Sequence, residues 1–463
     1  MAYLEFYCDP INGSNLNAGT SSGQPLLFGV NGSWNNTTST YFTPSINPVG
    51  IISSGDWISI YPESSGAGGL TPFVGMVDFL NSTGIVINPI KRMGEIATGD
   101  NNVSFRFGGA WLGPNPSSNF PRTLFNSTTL PISASSSYPR INFRNNAKYS
   151  PKSIMSFTSG PIVINGYSST VDDGGIADFD CRGGLTTSQV FAFPANTIIS
   201  NIRVSGIASQ SAVSMTLTTP TLLRRVTVCN TGGPAFAAVA NLMVDNCEFY
   251  RTCLQSASVN TITGNQTLFL KDSSFHDNPN DVIVTTVSLY MDGCLFYRNG
   301  RNVINSVLGT NSIVNIHNCD FYQNAHDAIK FANTSTTSRF ILNIKNTNFV
   351  MNSGFGINIP KVAAFSSGYG FLVNCGWGGG AFRNGSGTTF LGNCFDEIDS
   401  IFYKTHPYVN ATGCDFRIRT EAIGEGATQY INMTGIINPT SYKNIGALQS
   451  NPNSFSKSRF VNV

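Results

Sequence analysis

Asp281, His326 and Asp327 are the residues whose types and spacing could do acid–base chemistry. Two carboxylates across a groove can hydrolyse a glycosidic bond: at about 5 Å they retain the anomeric configuration, and at about 6.5 to 9.5 Å they admit a water and invert it. Asp281 and Asp327 each follow a phenylalanine, Phe275 and Phe321, by six residues, and Asn302 stands in the same place after Phe296. If those phenylalanines stack in neighbouring strands about 4.8 Å apart, the carboxylates lie about 9.6 Å from each other, at the edge of the inverting range. His326 beside Asp327 is placed to tune it. The competing reading makes both aspartates solvated loop residues. A second group is suited to binding: Tyr250, His276, Tyr297 and Tyr322 each directly follow a phenylalanine and are expected to point outward in one line. Ring faces in a row suit stacking on sugars, and they equally suit packing against another copy of the chain.

Other chemistries find no footing in the sequence. There is no Gly-x-Ser-x-Gly, phosphate loop or His-Glu-x-x-His, and the nearest cysteines, Cys247 and Cys253, do not make the Cys-x-x-Cys pairs of a zinc site, so neither metal nor cofactor is expected. The column Asp245, Lys271, Asp292, His317, Lys345 alternates charge, as mutually compensating surface residues do. With a net charge of +2 and 11% charged residues, the 463-residue chain has no concentrated basic face for nucleic acid. "LLRR" (Leu222 to Arg225) is its densest basic cluster. The N-terminal stretch lacks a basic segment followed by an apolar run, and no later run reaches the roughly 18 apolar residues of a membrane span. The expectation is a cytoplasmically made chain without membrane insertion.

The elements that position these residues repeat. "VNIHNCDFYQNAHDA" (Val314 to Ala328) has close variants at "LMVDNCEFYRT", "LFLKDSSFHDN", "LYMDGCLFYRN" and "LNIKNTNFVMN". Aligned, one column reads Cys247, Ser273, Cys294, Cys319, Thr347, Cys375, Cys394, Cys414; two residues on come Phe249, Phe275, Phe296, Phe321, Phe349, Trp377, then Asp396 as a break, then Phe416. An aliphatic column, from Val244 to Leu391 and Ala411, stands three residues before the first. Inward residues of one strand share parity, so an odd separation demands a bend. At that bend stand Asn246, Asp272, Gly293, Asn318, Asn346, Asn374, Asn393 and Gly413, types that tolerate a left-handed backbone. Strand, corner, strand, recurring every 19 to 28 residues, describes one coil of a parallel β-solenoid. A further column, Asn278, Asn299, Asn324 and Asn352, reads as a second corner. The cysteines read as buried free thiols of the inward column.

This pattern resembles the right-handed parallel β-helix family of pectate lyases and phage tailspikes. "DPINGSNLNAGTSSGQP" near the start and "KNIGALQ" near the end are similar to the ends of phage β-helix proteins. The fold expected is all-β: a β-rich N-terminal attachment module over 1–145, a parallel β-helix over 146–420 with looser rungs at "IVINGYSS" and "IRVSGIAS", and a C-terminal cap over 421–463. What the resemblance implies is a bacteriophage virion protein: a head decoration, tail fibre or spike. It would form a homotrimer, meet other virion proteins through the N-terminal module and adhere to host-surface polysaccharide. The alternative is a tailspike depolymerase that hydrolyses that polysaccharide.

Overall fold

The computed structural model describes residues 2–418 apart from segments between strands, chiefly 14–21, 36–40, 63–72, 94–102, 109–136, 183–190, 209–214, 308–311, 333–338, 359–366 and 385–394; residues 419–463 lie outside the description. The described elements are all β. The chain divides into two units, residues 1–208 with 214–221 and residues 209–213 with 222–463.

The second unit is a parallel β-solenoid whose coils each contribute a strand to three faces. One full coil comprises Leu289–Asp292 on the first face, Leu295–Tyr297 on the second and Ile304–Val307 on the third. Each strand pairs in parallel with its equivalent in the next coil, as Leu289 with Val314, Phe296 with Phe321 and Ile304 with Ile329. The interior is built by columns. Leucine, valine, isoleucine and methionine line the first face, and phenylalanines line the second. Phe249, Phe275, Phe296, Phe321 and Phe349 form an unbroken stack with centroids 4.9 to 5.1 Å apart. That spacing is the strand spacing itself, so one residue type repeated at one position makes an aromatic ladder.

The corner between the first two faces follows the sequence expectation. Asn246, Asp272, Gly293, Asn318 and Asn346 all have positive φ, between 49° and 67°. Asn318 and Asn346 are buried, and the amides link coils: Asn346 Nδ2 donates to Asn318 Oδ1, and Asn318 Nδ2 donates to Asp292 Oδ1. The residue after the corner is chosen by a hydrogen bond. Cys247, Ser273, Cys294, Cys319, Thr347 and Cys375 each direct a thiol or hydroxyl to the carbonyl two residues earlier. Thiol and hydroxyl are interchangeable there because both are short donors. The eight described cysteines are free and buried.

At the second corner the left-handed residues are Arg251, Asp277, Arg298, Gln323 and Met351, one place before the expected column. The column itself, Asn278, Asn299, Asn324 and Asn352, lies inside. Oδ1 of Asn299, Asn324 and Asn352 accepts the backbone N–H and Nδ2 of the Asn one coil earlier, Asn278 Oδ1 accepts the N–H and hydroxyl of Thr252, and the Asn Nδ2 groups also reach the carbonyls of Phe249, Phe275, Phe296 and Phe321. A left-handed non-glycine residue costs about 1 to 2 kcal/mol, and this saturated amide ladder offsets it.

The first unit begins with a parallel strand. Ala2–Cys8 pairs in parallel with Ser137–Arg144, which pairs in turn with Val163–Tyr167. Val163–Tyr167 lies within "IVINGYSS", and its partner Thr197–Ser205 runs into "IRVSGIAS". Between the first two rungs the chain leaves to form a closed antiparallel barrel of six strands, from Pro25–Asn35 to Val103–Gly108. Phe42, Ile58, Ile60, Val77, Ile85, Ile87, Phe105 and Phe107 fill it. Asp9 secures the exit: its carboxylate accepts the N–H groups of Ile11 and Asn12 and side-chain donors from Asn146 and Arg144. Burial pushes this carboxyl up, but those donors prevail and hold it at about 2.

The C-terminal end departs from the expected register. Trp377 pairs with Phe402, and Asp396 pairs with Phe371 on the first face. The break in the aromatic column therefore vanishes. A carboxylate in the phenylalanine stack would be desolvated without a partner, and the longer coil keeps Asp396 from falling opposite Trp377. Asp415–Ile418 is not a further rung either. It pairs antiparallel with Tyr408–Asn410, closing a hairpin. Asn374, Asn393, Gly413, Cys394, Cys414 and the "KNIGALQ" stretch lie outside the described residues.

Candidate functional site

The structure gives Asp281 and Asp327 a role that neither sequence reading foresaw. Asp281 Oδ1 accepts both the backbone N–H and Nδ2 of Asn302 at 3.0 Å, and Oδ2 accepts Asn305 Nδ2 at 2.8 Å. Asp327 repeats the arrangement two coils on: Oδ1 accepts the N–H of Phe355 at 2.8 Å, and Oδ2 accepts Asn358 Nδ2 at 2.6 Å. Both are buried, at 8% and 9% exposure. Each carboxylate is a staple from one coil to the next. The two stand in equivalent turns two coils apart, and the Asn302 and Asn305 amides bind the first of them from the coil between. Gly354 fits against Asp327 so closely that a Cβ there would lie 2.5 Å from its Oδ1. His326 is exposed in the same turn, and its carbonyl accepts the Gly354 N–H.

Tyr250, His276 and Tyr297 do stand in one line, but the line is closed. Tyr250 stacks on His276 at 4.9 Å and His276 on Tyr297 at 4.5 Å, with ring planes within 11°. His276, Tyr297 and Tyr322 are 7%, 4% and 2% exposed. Beside them Asp320 and Asn348, joined by an amide donor at 2.7 Å, are fully buried. Tyr250, at the start of the line, is half-buried.

The outer side of the first face is open. Its central column runs Met243, Phe269, Tyr290, Asn315, Asn343 in register. Met243 is 45% exposed and the other four are half-buried. Phe269 and Tyr290 stack in parallel at 4.9 Å, and Asn343 Nδ2 donates to Asn315 Oδ1 at 2.8 Å. Two residues along each strand runs the charged column Asp245, Lys271, Asp292, His317, Lys345, paired as the sequence implied, with Arg224 bound to Asp245 at 3.1 Å. The site is thus a flat strip of two stacked rings, two linked amides and alternating charges. The signal in sequence was the alternation Leu-Phe-Leu-Lys and Leu-Tyr-Met-Asp, in which the second residue points out.

One carboxyl of the strip is perturbed. Asp292 is pushed up to about 6, first by burial and then by the neighbouring Asp272 charge, against the lowering effect of Asn318. Gly293 makes the approach possible: Asp272 Oδ1 lies 2.5 Å from where a Cβ at this position would stand. Asp292 therefore changes charge near neutrality beside Tyr290. Among the described residues no group of three His, Cys, Asp or Glu side chains is arranged to hold a metal.

No family model matches the chain, and no curated protein matches it. Among solved structures it is similar to the catalytic domain of a GH87 alpha-1,3-glucanase in complex with nigerose, at a TM-score of 0.31 and 10% identity over 82% of this chain and 88% of that one. It is also similar to a glycoside hydrolase at a TM-score of 0.23 and 8% identity, over 78% and 70% of the two chains. Superpositions this loose transfer neither a residue nor an activity.

Proposed function

We propose that this protein binds an extended polysaccharide along the outer strip of its first face, as an adhesive component of a bacteriophage virion acting on host-surface glycan. The observation that carries the binding reading is the stacked pair Phe269 and Tyr290 on the outer side of the first face, between Met243 and the linked Asn315 and Asn343 amides. Ring faces bind the apolar faces of sugars while neighbouring amides and charges satisfy hydroxyls. The strands rise by about 4.8 Å per coil, comparable with one sugar unit, so an extended chain can lie along the strip with successive units meeting successive coils. The virion assignment rests on the resemblance of the repeat and of both chain ends to phage proteins, and a homotrimer belongs to the same reading.

The depolymerase reading retains one specific support. Asp292, which burial and the neighbouring Asp272 charge push up to about 6, has the raised carboxyl that a general acid needs. Both readings are tested together on extracted surface polysaccharide. Retention of the native protein, with Phe269→Ala and Tyr290→Ala each weakening binding about tenfold, is the expected outcome. Size-exclusion analysis should show polysaccharide of unchanged length. Equal binding by both variants refutes the strip as the site, and release of short chains that stops in Asp292→Asn establishes the depolymerase.

A further inference from the structure

We propose that His276 is a proton-operated clamp on three successive coils: as imidazolium it ties Glu248 of the preceding coil to Asp277 of its own, and on losing its proton it loosens the second face. Its Nδ1 lies 2.8 Å from Asp277 Oδ2 and its Nε2 3.3 Å from Glu248 Oε1. Both ring nitrogens thus face carboxylate oxygens, which only accept. A neutral imidazole has one N–H and one lone pair, so one contact would become lone pair against lone pair; only the doubly protonated ring satisfies both.

The rings above and below reinforce this preference. Tyr250 and Tyr297 sandwich the imidazole with planes within 11°, and aromatic faces attract a cation. The remaining charges are accounted for. Arg298 of the following coil donates to Asp277 Oδ2 at 2.9 Å and lies 4.9 Å over the Tyr297 ring. Arg251, in the equivalent turn before Asp277, shares its left-handed backbone. Glu248 and Asp277 are balanced by His276 and Arg298 while the imidazole is charged. Loss of one proton leaves the Glu248 carboxylate without its imidazolium partner beside a 7%-exposed ring.

Burial by itself would lower the affinity of His276 for its proton, but the hydrogen bonds and charges of Asp277 and Glu248 outweigh it, and the group is raised above its ordinary value. A group raised on folding contributes stability that is complete below its unfolded value of about 6.5 and is lost as pH rises through the folded value. The clamp therefore holds below about pH 6.5 and relaxes as pH rises through the folded value.

The test is thermal unfolding of the full chain between pH 5 and 9, with the His276 ring protons followed by NMR. Wild type should lose about 2 to 4 °C of Tm across its own titration. His276→Phe, which keeps a flat ring in the stack, should lack that step. Glu248→Gln, a change at a partly exposed side chain, should move the imidazole titration down towards its ordinary value and shrink the step. If His276→Phe does not fold, the Glu248→Gln titration decides alone. An imidazole that titrates at or below its ordinary value, or a Glu248→Gln protein with an unchanged titration, overturns the clamp.

Discussion

Asn318 shows how one residue can serve backbone and ladder together. Its φ of 53° turns the chain, and its buried amide donates to Asp292 and accepts from Asn346. Asn318→Val puts a β-branched side chain into the left-handed region and leaves the Asn346 amide buried without its acceptor. The expected loss is about 3 kcal/mol, from strain and the orphaned donor together, read from the denaturant midpoint at constant slope. Asn318→Gly, which removes only the amide, should cost less. This corner was legible in the sequence because Asn, Asp and Gly, the types that tolerate positive φ best, recur at it, whereas the second corner holds Arg251, Arg298, Gln323 and Met351 in that region and carries no such signature. Asp281 and Asp327 were not legible: a carboxylate that stands in water, in a catalytic pair or under a neighbouring coil has the same letter. What distinguishes them is Asn302, Asn305, Phe355 and Asn358, brought under the carboxylates by coil register.

The unit of cohesion at the scale of elements is the column. In the amide ladder Asn299 accepts from Asn278 twice and donates to Asn324 and to the carbonyl of Phe275, all within 3.2 Å. Asn299→Ala should therefore cost more than loss of one average hydrogen bond, about 2 to 4 kcal/mol, since it strands buried groups in both adjoining coils. Because the coils share one ladder, Asn299→Ala combined with Asn324→Ala should cost less than the sum of the single changes. Chemical denaturation of the three variants checks both statements, and strict additivity would show that the ladder is not cooperative. The aromatic column teaches the limit of alignment by letter. Placing Asp396 opposite Trp377 preserved the shortest repeat, whereas the fold lengthens the coil and pairs Trp377 with Phe402. Loop length between coils is cheap to vary, but a carboxylate in a phenylalanine stack is not.

For the molecule as a whole, a solenoid interior is continuous, so burial protects thiols in distant coils alike. Cys294, Cys319 and Cys375 are fully buried and free. Burial raises the Cys319 thiol well above its ordinary value, and the neighbouring Cys294 adds to the effect. These three should resist an alkylating reagent in the native protein and become reactive together through the unfolding transition, as mass spectrometry of labelled peptides can resolve. Labelling of one thiol well before the others would show that its coil opens independently. The sequence alone determined the coil: period, inward columns and left-handed corners are local demands of backbone geometry and parity, written in the residue types that meet them. Tertiary structure alone decided which outward surface is available. Tyr297 and Phe269 look alike in sequence, each alternating with inward neighbours, yet one is closed into a stack with His276 and the other stands on an open sheet. Exposure is a property of what lies across from a residue, and that partner comes from other coils, at sequence distances that no local pattern encodes.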